Sequence, residues 1–222
     1  HTYDWHDDWA QVPDPESASR GWSHHGVVVT ESGNVMTLHQ GDLSMLTFDR
    51  HGKLLGTWEL GLKEAHGITL VKEGDTEYLW IADNGRKRTP ETAYEYPNGD
   101  APYTGQVVKM TLDGDTVMRL AKPPLSIYDG GTYAPTWVAV NEERNGGNGD
   151  VWVTDGYGQN HVHRFTKSGD YLNSINGEEG EVGAFDCPHA IFIDSRKSEP
   201  ELYIADRANG RVQVYDVVGN LK

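Results

Sequence analysis

Histidine stands at one recurring place in this chain, directly before a short and largely apolar run. The residues at that place are His25, His66, Thr136 and His189. If the runs are equivalent strands of a repeated unit, the side chains before them meet near a common centre although they are far apart in sequence. Neutral imidazoles that meet at one point can bind a metal, and zinc is the leading candidate. The pattern predicts a metal site built from the three histidines. The alternative is that each histidine forms hydrogen bonds only within its own strand start.

A second recurring place follows an aspartate. Asp83, Asp155 and Asp206 end equivalent runs, and we expect their carboxylates to cap turns or to bind backbone amides. The residues after them differ from unit to unit, and they include Tyr157 in one unit and Arg207 in the next. A guanidinium and a metal beside a phenol favour its ionised form, which can act as a base. The alternative is an exposed tyrosine and a surface arginine.

These residues depend on a repeated unit for their position. The segments 79–83, 151–155 and 202–206 are near copies in which a largely apolar run ends in Asp. Short runs rich in Val, Ile, Trp and Tyr, separated by Gly, Asn and Asp, are typical of antiparallel strands and hairpins. No long helical pattern is present. A unit repeated at this scale indicates an all-β fold, a β-propeller.

Four units are visible, with inner strands at 26–29, 67–70, 137–140 and 190–193. We expect an irregular N-terminal segment over residues 1–23 and propeller blades over residues 24–222. The number and form of the repeats favour four blades of a six-bladed ring, with the remaining blades outside this sequence. The insertion at 86–104, rich in Tyr and Pro, is expected to be a solvated loop, with a lid over the axis as the alternative.

Composition narrows the classes of function. Among 222 residues, 19 are Lys or Arg and 34 are Asp or Glu, which gives a formal net charge of −15. Nucleic-acid binding needs a basic surface, so we expect no such partner. The charge suits an extracellular or periplasmic protein. Cys187 is the single cysteine, so no disulfide can form within the chain. No apolar run is long enough to span a membrane. The sequence begins at His1 with no signal segment, and we expect a processed product or part of a longer protein.

Several motifs between residues 134 and 214 are specific enough to suggest a family. They are 135–140 (PTWVAV), 153–157 (VTDGY), 183–189 (GAFDCPH) and 205–212 (ADRANGRV). With these motifs the chain resembles the NHL-repeat propellers, and among them the peptidylamidoglycolate lyase domain, or peptidyl-α-hydroxyglycine α-amidating lyase. The similarity is weaker at 26–49 and 65–67, but it covers most of the chain.

The resemblance implies a function. The family enzyme cleaves a peptidyl-α-hydroxyglycine to a peptide amide and glyoxylate, using a zinc held by three histidines, a tyrosine base and two arginines. Carried over to this sequence, His66 and His189 correspond to zinc ligands, Tyr157 to the base and Arg207 to one arginine. The backbone carbonyls of Val27 and Ile68 correspond to a structural calcium site. The expected substrate is a peptide or a small molecule.

The chain also departs from the family pattern. The third zinc histidine belongs to the last blade, which this sequence lacks, and His25 is a candidate for an additional ligand. Gln40 stands where the family has its second arginine, and Arg86 on the neighbouring loop could replace it in binding substrate. Two other functions stay open. One is a non-catalytic binding scaffold, since fold does not fix function. The other is a different propeller lyase or hydrolase that acts on a sugar or a lactone.

Overall fold

The computed structural model describes residues 2–12, 26–39, 44–86 and 103–222. The two predicted site residues His25 and Gln40 therefore lie outside the described residues, as do most of the 86–104 insertion and residues 13–23 of the N-terminal segment. The described part is all-β, with fifteen strands in four antiparallel sheets. No helix in it is long and apolar enough to cross a membrane.

Each sheet is a meander in which consecutive strands pair, as the short alternating runs predict. Blade 1 contains β1 (Val27–Val29), β2 (Val35–His39), β3 (Ser44–Phe48) and β4 (Leu54–Glu59). Blade 2 contains β5 (Ala65–Glu73), β6 (Thr76–Asp83), β7 (Gln106–Thr111) and β8 (Thr116–Leu120).

The next two sheets repeat this order. Blade 3 contains β9 (Trp137–Val140), β10 (Val151–Asp155), β11 (His161–Phe165) and β12 (Tyr171–Ile175). Blade 4 contains β13 (Pro188–Asp194), β14 (Glu201–Asp206) and β15 (Arg211–Asp216), and Leu221 forms a single bridge to Tyr215. Two short 3-10 turns, Ser126–Tyr128 and Glu143–Asn145, lie before and after β9.

The hydrophobic core lies between consecutive blades because successive strand residues face opposite sides of a sheet. In β6, Leu79 and Ile81 pack toward blade 1, whereas Trp80 between them packs toward blade 3. In β10, Trp152 packs toward blade 4 in the same way. Side-chain bonds also join the blades: the Thr69 hydroxyl of β5 donates to a backbone carbonyl of β9 at 2.6 Å. This stacking places the starts of the inner strands β1, β5, β9 and β13 side by side.

The outward face of blade 4 carries apolar residues, as the covered faces of blades 2 and 3 do. Val107, Val162 and Val212 occupy equivalent positions on β7, β11 and β15. The first two are 0% exposed and Val212 is 58% exposed. Phe192 on β13 is 61% exposed, and the two residues form part of the lining of an apolar cavity of about 570 Å³. Blade 4 thus presents a surface built like the blade-to-blade contacts.

Candidate functional site

Four of the predicted site residues meet at one point. The hydroxyl oxygen of Tyr157 lies 2.9 Å from Nε2 of His189 and 3.3 Å from Nε2 of His66. Arg207 donates from Nη1 to the same oxygen at 3.3 Å, and its guanidinium carbon lies 5.4 Å from the centroid of the tyrosine ring. We call these four residues the open cluster, because Arg207 is exposed and His189 and Tyr157 are partly so. Blades 2, 3 and 4 each contribute to it, as the repeat predicts.

Two β-bulges direct the histidines into the open cluster. The pairing of β5 with β6 passes from Ala65 directly to Gly67, which leaves His66 as an extra residue. The pairing of β13 with β14 passes over His189 in the same way. A bulge turns one side chain out of the strand's alternation, and bulges often lie beside functional sites. The bulges explain how both imidazoles reach the centre while the rest of each strand stays in register.

The repeated aspartates anchor the segments that precede the inner strands. Each accepts a hydrogen bond from a backbone N–H two or three residues before the recurring place; the bonds are Glu64 to Asp83 (2.9 Å), Ala134 to Asp155 (2.6 Å) and Asp186 to Asp206 (2.8 Å). All three carboxylates are buried. The prediction that they bind backbone amides is confirmed.

Arg86 lies on the neighbouring loop of blade 2. Its backbone N–H donates to the Asn84 side chain at 2.9 Å, and its guanidinium carbon lies 5.1 Å from the centroid of the Tyr103 ring. Burial raises the pKa of the Tyr103 phenol, and the hydrogen bond with Arg86 opposes this shift. Arg86 therefore belongs to a pair with Tyr103, and its predicted substrate contact stays a prediction.

The described residues fit a metal site in part. The two Nε2 atoms of His66 and His189 approach one oxygen, and the ring centroids are 4.7 Å apart. Within the ranges 2–12, 26–39, 44–86 and 103–222, however, no group of three or more His, Cys, Asp or Glu side chains is arranged to hold a metal ion. A catalytic zinc normally has three protein ligands. The described chain thus supplies two converging donors, and any third would come from elsewhere.

Two further predicted positions lie on the inner strands. Val27 on β1 and Ile68 on β5 follow the recurring place at equivalent steps, each two residues after it, and their strands are neighbours. Backbone carbonyls are ligands that calcium accepts. A calcium ion at Val27 and Ile68 stays a prediction.

A second set of polar residues in blade 3 escaped the sequence analysis, although it shares Asp155 with the repeat. We call it the buried chain: Tyr171, Ser174, His163, Tyr128 and Asp155. Consecutive side chains are 2.8, 2.7, 2.6 and 2.6 Å apart. Tyr128 donates its one hydrogen to Asp155, so its oxygen accepts from Nε2 of His163, and Nδ1 accepts from Ser174. Every hydrogen in this sequence of bonds has an acceptor.

Burial shifts the pKa values of Asp155 and His163, two members of the buried chain, in opposite senses. It raises the pKa of Asp155 to about 7, although bonds from the Tyr128 hydroxyl and from two backbone N–H groups oppose the shift. It lowers the pKa of His163 to about 3, with a further contribution from the charge of His161. In both groups burial disfavours the charged form. The rings of His161 and His163 are stacked, with their centroids 6.0 Å apart.

Comparison with known proteins is consistent with the resemblance drawn from the motifs. No protein family model matches the chain. NHL repeat-containing protein 3 of Homo sapiens is 27% identical over 182 residues, which cover 78% of this chain and 45% of that protein. A probable peptidyl-alpha-hydroxyglycine alpha-amidating lyase of Caenorhabditis elegans is 28% identical over 156 residues, covering 68% of this chain and 36% of that protein. Peptidyl-glycine alpha-amidating monooxygenase of Mus musculus is 32% identical over 85 residues, covering 36% and 8%.

Solved structures show the fold. A streptogramin B lyase structure matches with a TM-score of 0.56 at 14% identity, covering 88% of this chain and 52% of that chain. The virginiamycin B lyase of Staphylococcus aureus matches with a TM-score of 0.51 at 15% identity, covering 94% and 70%. The predicted β-propeller is confirmed, and the chain resembles NHL-repeat propellers and the α-amidating lyase. It spans about half the length of the curated NHL relatives it matches.

Proposed function

We propose that this chain is part of a lyase that cleaves a peptidyl-α-hydroxyglycine, or a similar carbinolamide, to an amide and glyoxylate. The observation that carries the proposal is the position of the Tyr157 oxygen, at hydrogen-bond distance from His66, His189 and Arg207. A phenol beside a cation is suited to hold and return a proton. The sequence similarity to an α-amidating lyase supports the same chemistry.

In the proposed reaction, Tyr157 as a phenolate takes the proton of the substrate's α-hydroxyl group. The electron pair of that O–H bond forms the new carbonyl of glyoxylate, and the carbon–nitrogen bond breaks with its electron pair moving to nitrogen. Tyr157 then returns the proton to the amide nitrogen, so that atoms and charges balance. Arg207 stabilises the phenolate and, because it is exposed at the edge of the cluster, can also bind the carboxylate of the substrate.

We propose zinc as the metal of this site. His66 and His189 would hold it through Nε2, and the remaining donors would come from outside the described residues, with His25 as one candidate. A zinc ion supplies a Lewis acid for a substrate oxygen. Calcium at the carbonyls of Val27 and Ile68 is proposed as a structural ion. Neither ion is needed to explain the hydrogen bonds to Tyr157.

We also propose that further blades cover the outward face of blade 4. Val212 and Phe192 on that face are exposed, whereas the equivalents of Val212 in blades 2 and 3 are fully covered by the next blade. The span of about half the relatives' length agrees with additional blades. In a six-bladed ring these further blades would lie opposite the open cluster, and they could supply a third metal ligand.

The Tyr157→Phe variant of the full-length protein tests the proposal. Glyoxylate release from an α-hydroxyglycine peptide should fall by on the order of 10²–10⁴-fold, the usual contribution of a general base. The zinc content and the melting temperature should stay those of the wild type. Full activity in the variant would exclude Tyr157 as the base. A wild type with neither zinc nor glyoxylate release would favour the binding scaffold.

A further inference from the structure

Blade 3 holds the start of β13 through two side chains. The Thr136 hydroxyl donates to the backbone carbonyl of Pro188 at 3.0 Å, and the side-chain oxygen of Asn160 accepts from the backbone N–H of Cys187 at 3.0 Å. Thr136 is fully buried. The two bonds end on the two residues directly before His189. The bulged histidine therefore has its backbone fixed by the neighbouring blade.

The same segment carries unusual backbone geometry. Among the described non-glycine residues, only Asn160 and Cys187 have positive φ, at 56° and 57°. Such conformations are unfavourable for side chains other than glycine, and they persist where the surroundings hold them. Here the two residues are bonded to each other across the blade boundary. The Cys187 carbonyl also accepts from the backbone N–H of Arg207 at 3.1 Å, which extends the connection to a further member of the open cluster.

The turn that carries Tyr157 packs on the same carbonyl as Thr136. A Cβ atom on Gly156 would lie 2.4 Å from the oxygen of Pro188, so this glycine is required for the close approach. Gly156 and Pro188 thus meet in one close contact, and Tyr157 and His189 are the residues that directly follow them. The polar atoms of the two side chains lie 2.9 Å apart.

We infer that Thr136 and Asn160 are positioning residues that fix His189 relative to Tyr157. Thr136 occupies the recurring place that holds histidine in the other three blades, and its hydroxyl reaches the segment of β13 that presents a histidine. At the recurring place, blade 3 thus contributes a hydroxyl that supports the histidine of blade 4, whereas the other blades contribute a histidine of their own. The effect of this arrangement on catalysis rests on the proposed function, whereas its effect on the position of His189 does not.

The chain offers a matched control. Thr69 also donates its hydroxyl to a backbone carbonyl of the next blade, that of Val138, at 2.6 Å. Val138 lies inside β9 and is not adjacent to a member of the open cluster. Thr69→Val and Thr136→Val each remove a blade-to-blade bond, and Thr136→Val also removes the contact of the Thr136 hydroxyl with the Thr154 hydroxyl, 2.8 Å away within blade 3. If such bonds serve only stability, both variants should leave the imidazole of His189 unchanged.

The experiment compares Thr136→Val, Asn160→Gly and Thr69→Val in the full-length protein, with Thr136→Ser as the conservative variant. Glycine at position 160 keeps the left-handed backbone and removes only the amide side chain. Long-range ¹H–¹⁵N spectra of histidine-labelled protein report the imidazole of each variant, and the signals of His189 are assigned with His189→Gln. Thr136→Val and Asn160→Gly should shift or broaden the His189 signals. Thr136→Ser should restore them, and Thr69→Val should leave them in place.

A kinetic measurement tests whether the positioning of His189 affects turnover. With glyoxylate release as the assay, Thr136→Val should lower kcat on the order of 10- to 100-fold with a smaller change in KM, as expected of a displaced reacting group. A wild type without this activity refutes the proposed function, and the spectra then still decide the positioning. His189 signals that coincide with the wild type in both Thr136→Val and Asn160→Gly would overturn the inference. If Thr136→Val does not fold, Asn160→Gly decides alone.

Discussion

The open cluster and the buried chain are built from similar groups and are joined at the turn that follows β10. Each combines tyrosine and histidine side chains, and only Gly156 lies between Asp155 and Tyr157. They differ in their surroundings. The buried chain ends on a carboxylate, and every hydrogen along it has an acceptor. In the open cluster, two imidazole nitrogens and an exposed guanidinium approach a single phenol oxygen.

Residue type alone therefore does not identify a reactive site. A group whose hydrogen bonds are all satisfied in a dry interior stabilises one structure, whereas groups that converge at a partly exposed point can exchange a partner for a ligand. We therefore expect substitutions in the buried chain to change the free energy of unfolding, and substitutions in the open cluster to change binding and turnover.

The largest effect on stability is expected from Asp155→Ala. The substitution leaves the Tyr128 hydroxyl and the backbone N–H groups of Ala134 and Gln159 without their acceptor. Loss of a buried acceptor for three donors should lower the free energy of unfolding by about 3–5 kcal/mol. Urea denaturation measures it, with the exposed Asp113→Ala as a control that should change it by less than about 0.5 kcal/mol. If Asp155→Ala and Asp113→Ala changed the free energy of unfolding equally, the buried hydrogen bonds of Asp155 would not contribute to stability as proposed.

Arg207→Met should have the opposite profile. Arg207 is exposed, so the variant should keep the melting temperature of the wild type. Loss of a charged hydrogen bond to Tyr157 and of a site for the substrate carboxylate should lower kcat/KM about 10- to 100-fold. Steady-state glyoxylate assays measure this. A stability loss without a kinetic effect would place Arg207 with the structural residues.

Tyr128→Phe should cost less than Asp155→Ala because it removes one link of the buried chain. We expect the free energy of unfolding to fall by about 1–2 kcal/mol, since Asp155 and His163 each lose one partner. Turnover should change less than about threefold, because Tyr128 does not contact the open cluster through any bond in its chain. A kinetic defect as large as that of Tyr157→Phe would show that the two clusters act as one unit.

The smallest expected effect is that of pH on the free energy of unfolding. Between the unfolded and folded pKa values of Asp155, the folded state binds the extra proton, so stability falls as pH rises toward about 7. For His163 the unfolded state binds the extra proton, so stability rises with pH from about 3 until the unfolded pKa, near 6.5, is passed. Between pH 5 and 6.5 the slopes oppose, and the net change should stay below about 1 kcal/mol.

The His163→Leu variant should reveal the contribution of Asp155 alone to the pH dependence of stability. With only Asp155 left, the free energy of unfolding should decrease as pH rises from 5 to 6.5, and denaturation at several pH values measures the slope. A variant whose profile stays parallel to that of the wild type would show that His163 is not neutral in the fold at acidic pH.

The blades and the convergence of the open cluster could be predicted because repetition carries both. Equivalent positions in a repeated strand occupy equivalent places around the stack, so His66 and His189 meet although they lie 123 positions apart in the sequence. The bulges could not be predicted, since one extra residue before a strand leaves the apolar pattern unchanged. Tyr128 was missed for a related reason: it lies in an irregular connection before β9, where no period indicates what a side chain faces.

The bulges also have a consequence for how such a site can change over time. Deleting His189 would bring Pro188 and Ala190 into continuous pairing with Asp206 and Ala205, and the rest of β13 would keep its register. We therefore expect the fold to tolerate the gain or loss of this histidine, by insertion or deletion of a single codon, without rearranging the core on either side. A scaffold built in this way can acquire or discard a reactive centre while its architecture stays intact.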